Sequence, residues 1–407
     1  MRSVDQIQRD LRTILALQAL RAFAYGFASV VLGSSLADSG LTEAQVGLVF
    51  AAMLAGNALV GLLVGLVGER VGRRRTYAAL IVVLGLSGLA YAFSDDLVVL
   101  VVVALAGTLS TDANESGPIT SLEQAMMGGA APEVRARVFG RYNAVAYLAG
   151  ALGALAGGGP AFLRDAIPSP PQQQRWLLVF PLAALACLVL VRRLSPAVDA
   201  PVADAPRRPL GRSRGTVIHL ASLFGLDAFA GGFVVSTFLV FWFDRRFDAP
   251  PELMGAVLFA SGLLQAGSSI ASGRLAGRIG LLPTMVFTHL PSNVLLMLVP
   301  AMPTLGLGIA MLLLRSTLSQ MDVPARQAYV VAMVDPEERT AAAAFTNTAR
   351  YAARPFGAAG AGALMQAVAI GAPFVVAGAL KCVYDLALYA TFRRVRLPEV
   401  TPRPPEQ

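Results

Sequence analysis

Long apolar stretches recur along the whole chain and are separated by short polar loops. A stretch of about 20 apolar residues spans the hydrocarbon core of a bilayer as a helix. The pattern therefore predicts an all-α membrane protein with twelve transmembrane helices. These run over residues 12–36, 43–67, 76–94, 97–126, 137–161, 176–194, 215–243, 252–275, 283–301, 304–333, 340–369 and 372–393.

A polar segment divides the chain near its middle. Residues 195–214 are rich in Pro, Ala and Arg and show no apolar periodicity, which is typical of a linker. The predicted domains are a six-helix bundle over residues 1–194, this linker, and a second six-helix bundle over residues 215–407.

The two predicted bundles are sequence repeats in parallel orientation. The phrase L-R-A-F-A-Y-G-F at 20–27 returns as L-D-A-F-A-G-G-F at 226–233. The loops that begin at Gly65 and Gly273 share the pattern G-x-x-x-[E/G]-R-[V/I]-G. Pro118 and Pro324 occupy equivalent positions, where each is expected to kink a helix.

Composition supports a membrane protein and excludes several other classes. The chain is 56% hydrophobic and 14% charged, whereas soluble domains are about 45–50% apolar and about 25% charged. The net charge of +8 is divided among short loops, so no nucleic-acid surface is expected. The two cysteines lie in apolar runs, and no metal-ligand cluster, nucleotide loop or nucleophile–base pair occurs. We expect no cofactor, no metal and no enzymatic activity.

Arginine is concentrated on one side of the predicted topology. That side takes both termini, the linker, Arg70, Arg73 and Arg278, and an excess of Lys and Arg marks cytoplasmic loops. Both termini are therefore predicted to be cytoplasmic, and an even number of helices agrees with that.

The loop at 65–75 resembles the signature G-x-x-x-D-R-x-G-R-[R/K]-[R/K] of the major facilitator superfamily of secondary transporters. Glu69 stands where that family usually has Asp, and the second loop lacks an acid because Gly277 takes its place. The resemblance implies a bacterial inner-membrane transporter in which this loop stabilises the outward-open state. The implied gating residues are Gly65, Glu69, Arg70, Gly72, Arg73 and Arg278.

The fifth helix carries a run of small residues, Gly150 to Gly158, similar to the G-P-x-x-G-G signature of antiporters in that family. Ala154 replaces the proline, and small residues also permit close helix packing in any bundle. The fourth helix departs from proton-coupled relatives, because the stretch Leu105–Thr111 has no arginine.

Charged residues inside the predicted spans mark the candidate site, because charge in lipid is costly. Arg21 and Asp227 occupy equivalent repeat positions with opposite signs, so we expect them to meet or to face one substrate; the alternative is a static ion pair. Helices 4, 10 and 11 each present one polar face to a central cavity lined by helices 1, 4, 5, 7, 10 and 11. The predicted pathway residues are Arg21, Asp112, Glu115, Asp227, Arg315, Asp322, Arg326, Asn347, Arg350 and Arg354.

A proton-coupled carrier needs a carboxylate that titrates as access alternates. Asp112, Glu115 and Asp227 are the candidates, whereas Glu123 is expected near the cytoplasmic surface in a structural or gating role. Lys381 and Asp385 are spaced for an ion pair along one helix.

Three functional hypotheses follow from these patterns. The first is proton-coupled efflux of a small organic solute by antiport. The second is proton symport that imports an organic anion, because the arginines suit carboxylate or phosphate. The third is a membrane receptor or scaffold on a transporter fold. The expected partners are a small-molecule substrate, protons and the lipid bilayer, and the expected state is a monomer.

Overall fold

The computed structural model describes residues 4–110, 117–127, 132–160, 172–199, 210–335 and 338–395, and within these ranges all regular structure is helical. We number the helices by predicted span, with a and b for two segments of one span. They are α1 (Val4–Asp38), α2 (Glu43–Val71), α3 (Arg73–Phe93), α4a (Leu97–Leu105), α4b (Pro118–Met127), α5 (Pro132–Gly157), α6 (Val179–Val191), α7a (Arg214–Gly232), α7b (Ser236–Phe247), α8 (Pro251–Ile279), α9 (Leu281–Leu298), α10a (Leu305–Ser316), α10b (Asp322–Met333), α11 (Arg339–Ala367) and α12 (Ala372–Phe392).

Eight helical stretches in the described ranges are long and apolar enough to cross a membrane. They are Gln6–Asp38, Glu43–Gly65, Arg73–Phe93, Gln173–Val191, Arg214–Phe247, Pro251–Ile279, Leu281–Ala301 and Ala372–Phe392. The other four predicted spans are the fourth, fifth, tenth and eleventh. Two of these are interrupted, and the eleventh carries the polar face that begins at Asn347.

The fourth and tenth spans are not the continuous helices that we predicted. Pro118 begins α4b, and Pro324 lies in the first turn of α10b, so each proline starts a new segment instead of kinking a continuous one. Proline is tolerated there because the first helical N–H groups have no intrahelical partner. Two carbonyl groups in the break after α4a accept hydrogen bonds from side chains of other helices. The Tyr25 hydroxyl donates to Thr108 O (2.9 Å), and Asn57 Nδ2 donates to Leu109 O (2.9 Å).

Helix packing repeats between the two halves of the chain. In the first half α1 packs along α5 and α3 along α6, and in the second half α7a packs along α11 and α9 along α12. The halves meet mainly through α2 against α11 and through α5 against α8. These two contacts are exchanged by the repeat, so the halves are related by a pseudo-twofold arrangement.

One end of the bundle gathers the arginine-rich loops, and we call it the basic end. There Ser195 donates to Asp10 through its hydroxyl (2.6 Å), and the Arg74 N–H donates to Asp199 (2.8 Å). The α2–α3 and α8–α9 junctions turn sharply at Gly72 (φ 96°) and Gly280 (φ 91°). Positive φ favours glycine, which explains why this residue recurs in both loops.

Glu338 fastens the start of α11 to the segment that precedes α7a. Its carboxylate accepts backbone N–H bonds from Gly211 (2.9 Å), Arg212 (3.1 Å) and Ser213 (3.1 Å). The Gly211 bond, followed by those of Ser213 and Arg212, lowers the pKa of Glu338. The contact is therefore complete above the ordinary carboxylate range and is lost only as the pH falls through the lowered pKa.

The two halves touch closely at the end opposite the basic end. A methyl group at Gly362 of α11 would lie 2.7 Å from Gly47 Cα of α2, and one at Gly255 of α8 would lie 2.7 Å from Ala154 O of α5. A methyl group at Gly158, which follows α5, would lie 2.6 Å from Glu252 Cα. Only glycine permits backbones to approach this closely.

The same helices are separated at the basic end. Gly65 of α2, Gly140 of α5 and Gly273 of α8 have no other described group within 4 Å of where a methyl group would stand. Each lies eighteen residues from Gly47, Gly158 or Gly255 respectively, which is five helical turns and hence the same helix face. Among the described residues, the space between the halves therefore opens at the basic end and is closed at the other.

Candidate functional site

Arg21 lies in a closed polar cluster inside the first half. Its side chain is 2% exposed, and its Nη2 group forms an ion pair with Glu123 Oε2 of α4b (2.6 Å). Two phenols complete the cluster: Tyr77 of α3 donates to Glu123 Oε1 (2.8 Å), and Tyr142 of α5 donates to Glu123 Oε2. Gln18 accepts from Arg21 one helical turn earlier. Each Glu123 oxygen is thus hydrogen-bonded, as a buried carboxylate requires.

Asp227 of α7a is the centre of a different cluster in the second half. Its Oδ1 atom accepts from Lys381 Nζ of α12 (2.6 Å), and its Oδ2 atom accepts from Arg326 Nη1 of α10b (3.1 Å). Arg350 Nη1 of α11 lies 3.9 Å from the same Oδ2 atom. Arg326 also pairs with Asp322 (3.2 Å). One carboxylate therefore draws cations from three helices, which fixes their mutual arrangement.

A second polar layer lies behind Asp227, between α9 and α12. His289 Nδ1 is 2.9 Å from Asp385 Oδ1, and Asn293 Nδ2 donates to Asp385 Oδ2 (3.0 Å). The other ring nitrogen, His289 Nε2, lies 4.0 Å from Asp227 Oδ1. His289 thus stands between two carboxylates.

Two of the expected pairings are wrong. Arg21 and Asp227 do not pair with each other, because each has partners within its own half of the chain. Lys381 does not pair with Asp385, because α7a brings the Asp227 carboxylate to 2.6 Å from the ammonium group. Glu123 is 0% exposed and lies two residues before Ala125, whose carbonyl group accepts from Arg73 of the basic-end loop.

The two ion pairs are nevertheless repeat-related. In the first half a cation on α1 meets an acid on α4b, and in the second half an acid on α7a meets a cation on α10b. Each pair fastens the second segment of a broken span to the first helix of its half. The polarity is reversed, which is why Arg21 and Asp227 carry opposite charges.

The remaining predicted pathway residues of α10 and α11 are Arg315, Asn347 and Arg354. Arg315 ends α10a within electrostatic range of Asp322, and its Nε atom is buried without a hydrogen-bond partner among the described residues. Asn347 is exposed, and Arg354 is partly buried where α11 packs on α7a. Because α10a ends at Ser316, Arg315 and Asp322 do not share one continuous helix face, contrary to the prediction.

The gating loop is attached to its own half. Arg73 is buried and donates to Ala125 O of α4b (3.2 Å) and to Val198 O (3.4 Å). Arg70 and Arg278 are exposed, and Gly65 faces the open space between the halves. Glu69 lies near the end of α2, but its side chain falls outside the described residues, as do Asp112 and Glu115 entirely.

The small residues of the fifth helix serve close packing. A methyl group at Gly157 would lie 2.6 Å from Phe27 O of α1, and Gly153 is packed against the Phe23 carbonyl group. The equivalent contact in the second half places Gly357 of α11 against the Phe229 carbonyl group of α7a. The repeat thus uses glycine to bring the first and fifth helices of each half together.

The sequence prediction missed several members of both clusters. Tyr77 and Tyr142 carry no charge and lie beside arginines of the loop regions, so the search for charged residues inside spans did not mark them. His289, Lys381 and Asp385 did carry a signal, because each is a polar or charged residue inside a predicted span. Their grouping depends on the contacts of α9 and α12 with α7a, which sequence spacing does not reveal.

Comparisons with known proteins identify the class. The family model of the Major Facilitator Superfamily matches residues 14–317, and the chain belongs to this family. An uncharacterized membrane protein of Saccharomyces cerevisiae, YJR124C, is 26% identical over 421 residues, covering 94% of each chain.

Two solved structures share the fold. A bacterial homolog of the human lysosomal transporter Spinster, in an inward-facing and occupied conformation, has a TM-score of 0.75 at 14% identity, covering 98% of this chain and 100% of that one. A D-xylose–proton symporter has a TM-score of 0.72 at 16% identity, covering 93% and 97%. The chain is therefore a multi-pass membrane protein with a secondary-transporter fold, and its family indicates a transporter rather than an enzyme.

Proposed function

We propose that this protein is a proton-coupled transporter of a small organic anion. The observation that carries the proposal is Arg350, a cation on α11 that is 26% exposed and whose ion pair among the described residues is a loose one, 3.9 Å from Asp227. A guanidinium group with unused donors beside an accessible space is suited to bind a carboxylate or phosphate in bidentate geometry.

The surroundings of Arg350 support an aqueous path to it. Asn347, three residues before Arg350 on α11, is exposed, and Arg315 contributes a further cation whose Nε atom has no hydrogen-bond partner among the described residues. Polar side chains at this depth do not face lipid, because the cost is too high, so their exposure indicates a water-filled opening. Within the part of the chain that the structure describes, the four cations Arg315, Arg326, Arg350 and Lys381 exceed by one the three carboxylates Asp227, Asp322 and Asp385, and this excess favours an anion.

Alternating access follows from the glycine pairs on α2, α5 and α8. In the observed state the outer glycines Gly47, Gly158 and Gly255 hold the halves together at one end. The inner glycines Gly65, Gly140 and Gly273 lie on the same faces and are poised to make the equivalent contact at the basic end. Rocking of one half against the other then exposes the Asp227 cluster to each side of the membrane in turn.

We place the basic end in the cytoplasm of a bacterial cell, with both termini on that side of the inner membrane. The support is the arginine excess in the loops at this end. The observed state is then open to the cytoplasm.

Symport has the better electrostatic support. A proton that binds within the Asp227 cluster makes the cluster more positive and therefore raises its affinity for an anion. By reciprocity the anion raises the affinity for the proton by the same factor. A proton and an anion that favour each other's binding are carried in the same direction.

Efflux in exchange for protons is the second candidate. It is favoured by the loop signature at Gly65–Arg75, whose first copy has the acid at Glu69. The fifth-helix glycines give it little further support, because their contacts with α1 account for them.

Flux through the purified protein in liposomes tests both candidates. Radiolabelled monocarboxylate, dicarboxylate, phosphate monoester and neutral sugar are compared with and without an imposed pH gradient. We expect an anion to accumulate on the alkaline side. Accumulation on the acidic side supports antiport, and transport of the sugar alone contradicts the anion proposal.

The Arg350→Gln variant is expected to raise the KM for the transported anion about 10- to 100-fold. The reason is the loss of a charge-assisted hydrogen bond of about 1.5–3 kcal/mol. Arg246→Gln, at the exposed end of α7b, is the matched control and is expected to keep the wild-type KM. Equal KM values for both variants would remove Arg350 from the site.

A further inference from the structure

Asp385 differs from the other buried carboxylates of the two clusters, Glu123, Asp227 and Asp322. Glu123 has Arg21, Asp322 has Arg326, and Asp227 has Lys381 and Arg326 within ion-pair distance. Asp385 is 0% exposed, yet its only hydrogen-bond partners among the described residues are His289 and Asn293.

A buried carboxylate without a permanently charged partner is stable only if a proton neutralises it. The cost of an isolated buried charge is large, and the group avoids it by binding a proton or by pairing with a protonated neighbour. Asn293 is neutral, so the proton has to reside on Asp385 or on His289. The two groups are 2.9 Å apart, which allows them to share it.

From this geometry we infer that His289 and Asp385 form the coupling-proton site of the transporter. The inference rests on the proposed function for its role in transport but not for the existence of the site. Asn293 donates to the second carboxylate oxygen and so orients the acid towards the ring. This site is one layer behind the Asp227 cluster, so the proton and the anion are bound at separate positions.

Charged and titratable groups reach this site from every helix around it. Asp227 approaches from α7a, Lys381 and Tyr384 stand on α12 itself, and Arg326 and Arg350 lie beyond Asp227 on α10b and α11. Asp322 is bound to Arg326 on the far side of that cluster, and the Cys382 thiol stands next to Lys381 in sequence on α12. Arg326 and Lys381 are engaged by Asp227 and Asp322, and no ion pair joins either of them to Asp385 among the described residues, which leaves the His289–Asp385 pair to hold the mobile charge.

The connection to the substrate runs through the imidazole ring. His289 Nε2 faces Asp227 Oδ1 at 4.0 Å, and Lys381 binds that same oxygen. When an anion draws Lys381 or Arg350 away, Asp227 loses positive charge from its neighbours. A proton on the His289 ring then restores it, so occupancy of the proton site and of the anion site rise together. On release of the anion, Lys381 returns to Asp227 and the proton leaves the pair for water in the opening.

Histidine nuclear magnetic resonance on the full-length protein tests for the shared proton directly. The chain has two histidines, His219 and His289, and His219 is exposed on α7a. In protein labelled at histidine with ¹⁵N and ¹³C, we expect a strongly downfield proton signal from the His289 ring, bonded to the carboxylate. It should vanish in Asp385→Asn and persist in His219→Gln, and its absence from the wild type would overturn the site.

Flux in liposomes tests the coupling role. His289→Gln and Asp385→Asn are expected to reduce gradient-driven anion accumulation at least tenfold, while equilibrium exchange of the labelled anion continues with a KM that no longer depends on pH. A structural role would reduce exchange and accumulation together. Retained accumulation in Asp385→Asn contradicts the inference, whereas absence of anion flux in the wild type contradicts the proposed function and leaves the resonance result to stand alone.

Discussion

The Glu123→Gln variant is expected to lose about 3–5 kcal/mol of stability, because it leaves the Arg21 guanidinium buried without a counter-charge. Arg21 is 2% exposed, so water cannot replace the lost counter-charge. Tyr77 and Tyr142 also exchange a carboxylate acceptor for an amide. Thermal unfolding of the detergent-solubilised protein, followed by intrinsic fluorescence, measures the loss.

A double-variant cycle separates the ion pair from the rest of the cluster. The combination of Arg21→Gln with Glu123→Gln removes both charges and keeps polar side chains of similar size, so it is expected to recover at least half of the lost stability. Asp95→Asn, in an exposed loop, is the control and is expected to remain within about 0.5 kcal/mol of wild type. A double variant no more stable than Glu123→Gln would show that the pair is not the source of the effect.

The two clusters differ in accessibility, and this separates their roles. The Arg21–Glu123 pair is enclosed by α3, α4b and α5 and has one cation for one acid. The Asp227 cluster has several cations, one of which is 26% exposed. The repeat-related pairs Arg21–Glu123 and Asp227–Arg326 are both buried, so the accessibility of the second cluster comes from Arg350.

The sequence predicted the number of spans because lipid imposes a length and an apolar character on each helix. It did not predict the breaks in the fourth and tenth spans. Gly107 (φ 72°), Thr108 and Ser110 weaken the helix locally, but the break is stabilised by Tyr25 and Asn57 from other helices. Local composition does not contain that information.

The candidate site was predicted by residue type but not by pairing. Because a charged side chain in lipid is costly, Arg21, Asp227 and Arg326 were predicted to be functional or paired. The spacing rule for one helix then assigned Lys381 to Asp385, although Asp227 on α7a is its partner at 2.6 Å. Contacts between helices decided the pairing, and a single sequence does not reveal those contacts.

Two substitutions of glycines on α8 are expected to shift the conformational equilibrium in opposite directions. Gly255 lies against Ala154 O, so the Gly255→Val side chain has no room in the observed state and weakens the outer contact. Gly273→Trp fits the observed state, because no described group lies within 4 Å, but it blocks closure at the basic end. Overpacking of this kind costs about 1–3 kcal/mol, which changes a two-state equilibrium by about 5- to 150-fold.

A cysteine reporter at the basic end measures that equilibrium. Ala344 is exposed on α11, eighteen residues before Gly362 and on the same face, and Ala344→Cys is introduced after both native cysteines are changed to Ser. Labelling by a membrane-impermeant maleimide from the basic side is expected to rise in Gly273→Trp and to fall in Gly255→Val. Gly273→Trp is also expected to lose transport while it retains wild-type thermal stability.

Gly267→Trp is the matched control for the same helix. Gly267 is exposed and has no described neighbour within 4 Å, as Gly273 does, but it lies about a third of a turn away from the face shared by Gly255 and Gly273. It is expected to keep both transport and reporter labelling within about twofold of wild type, because its face does not meet α5 when the halves rock. Equal inhibition of transport by Gly267→Trp and Gly273→Trp would mean that a large side chain anywhere on α8 blocks the protein. The proposal that Gly65, Gly140 and Gly273 form the closing contact would then be wrong.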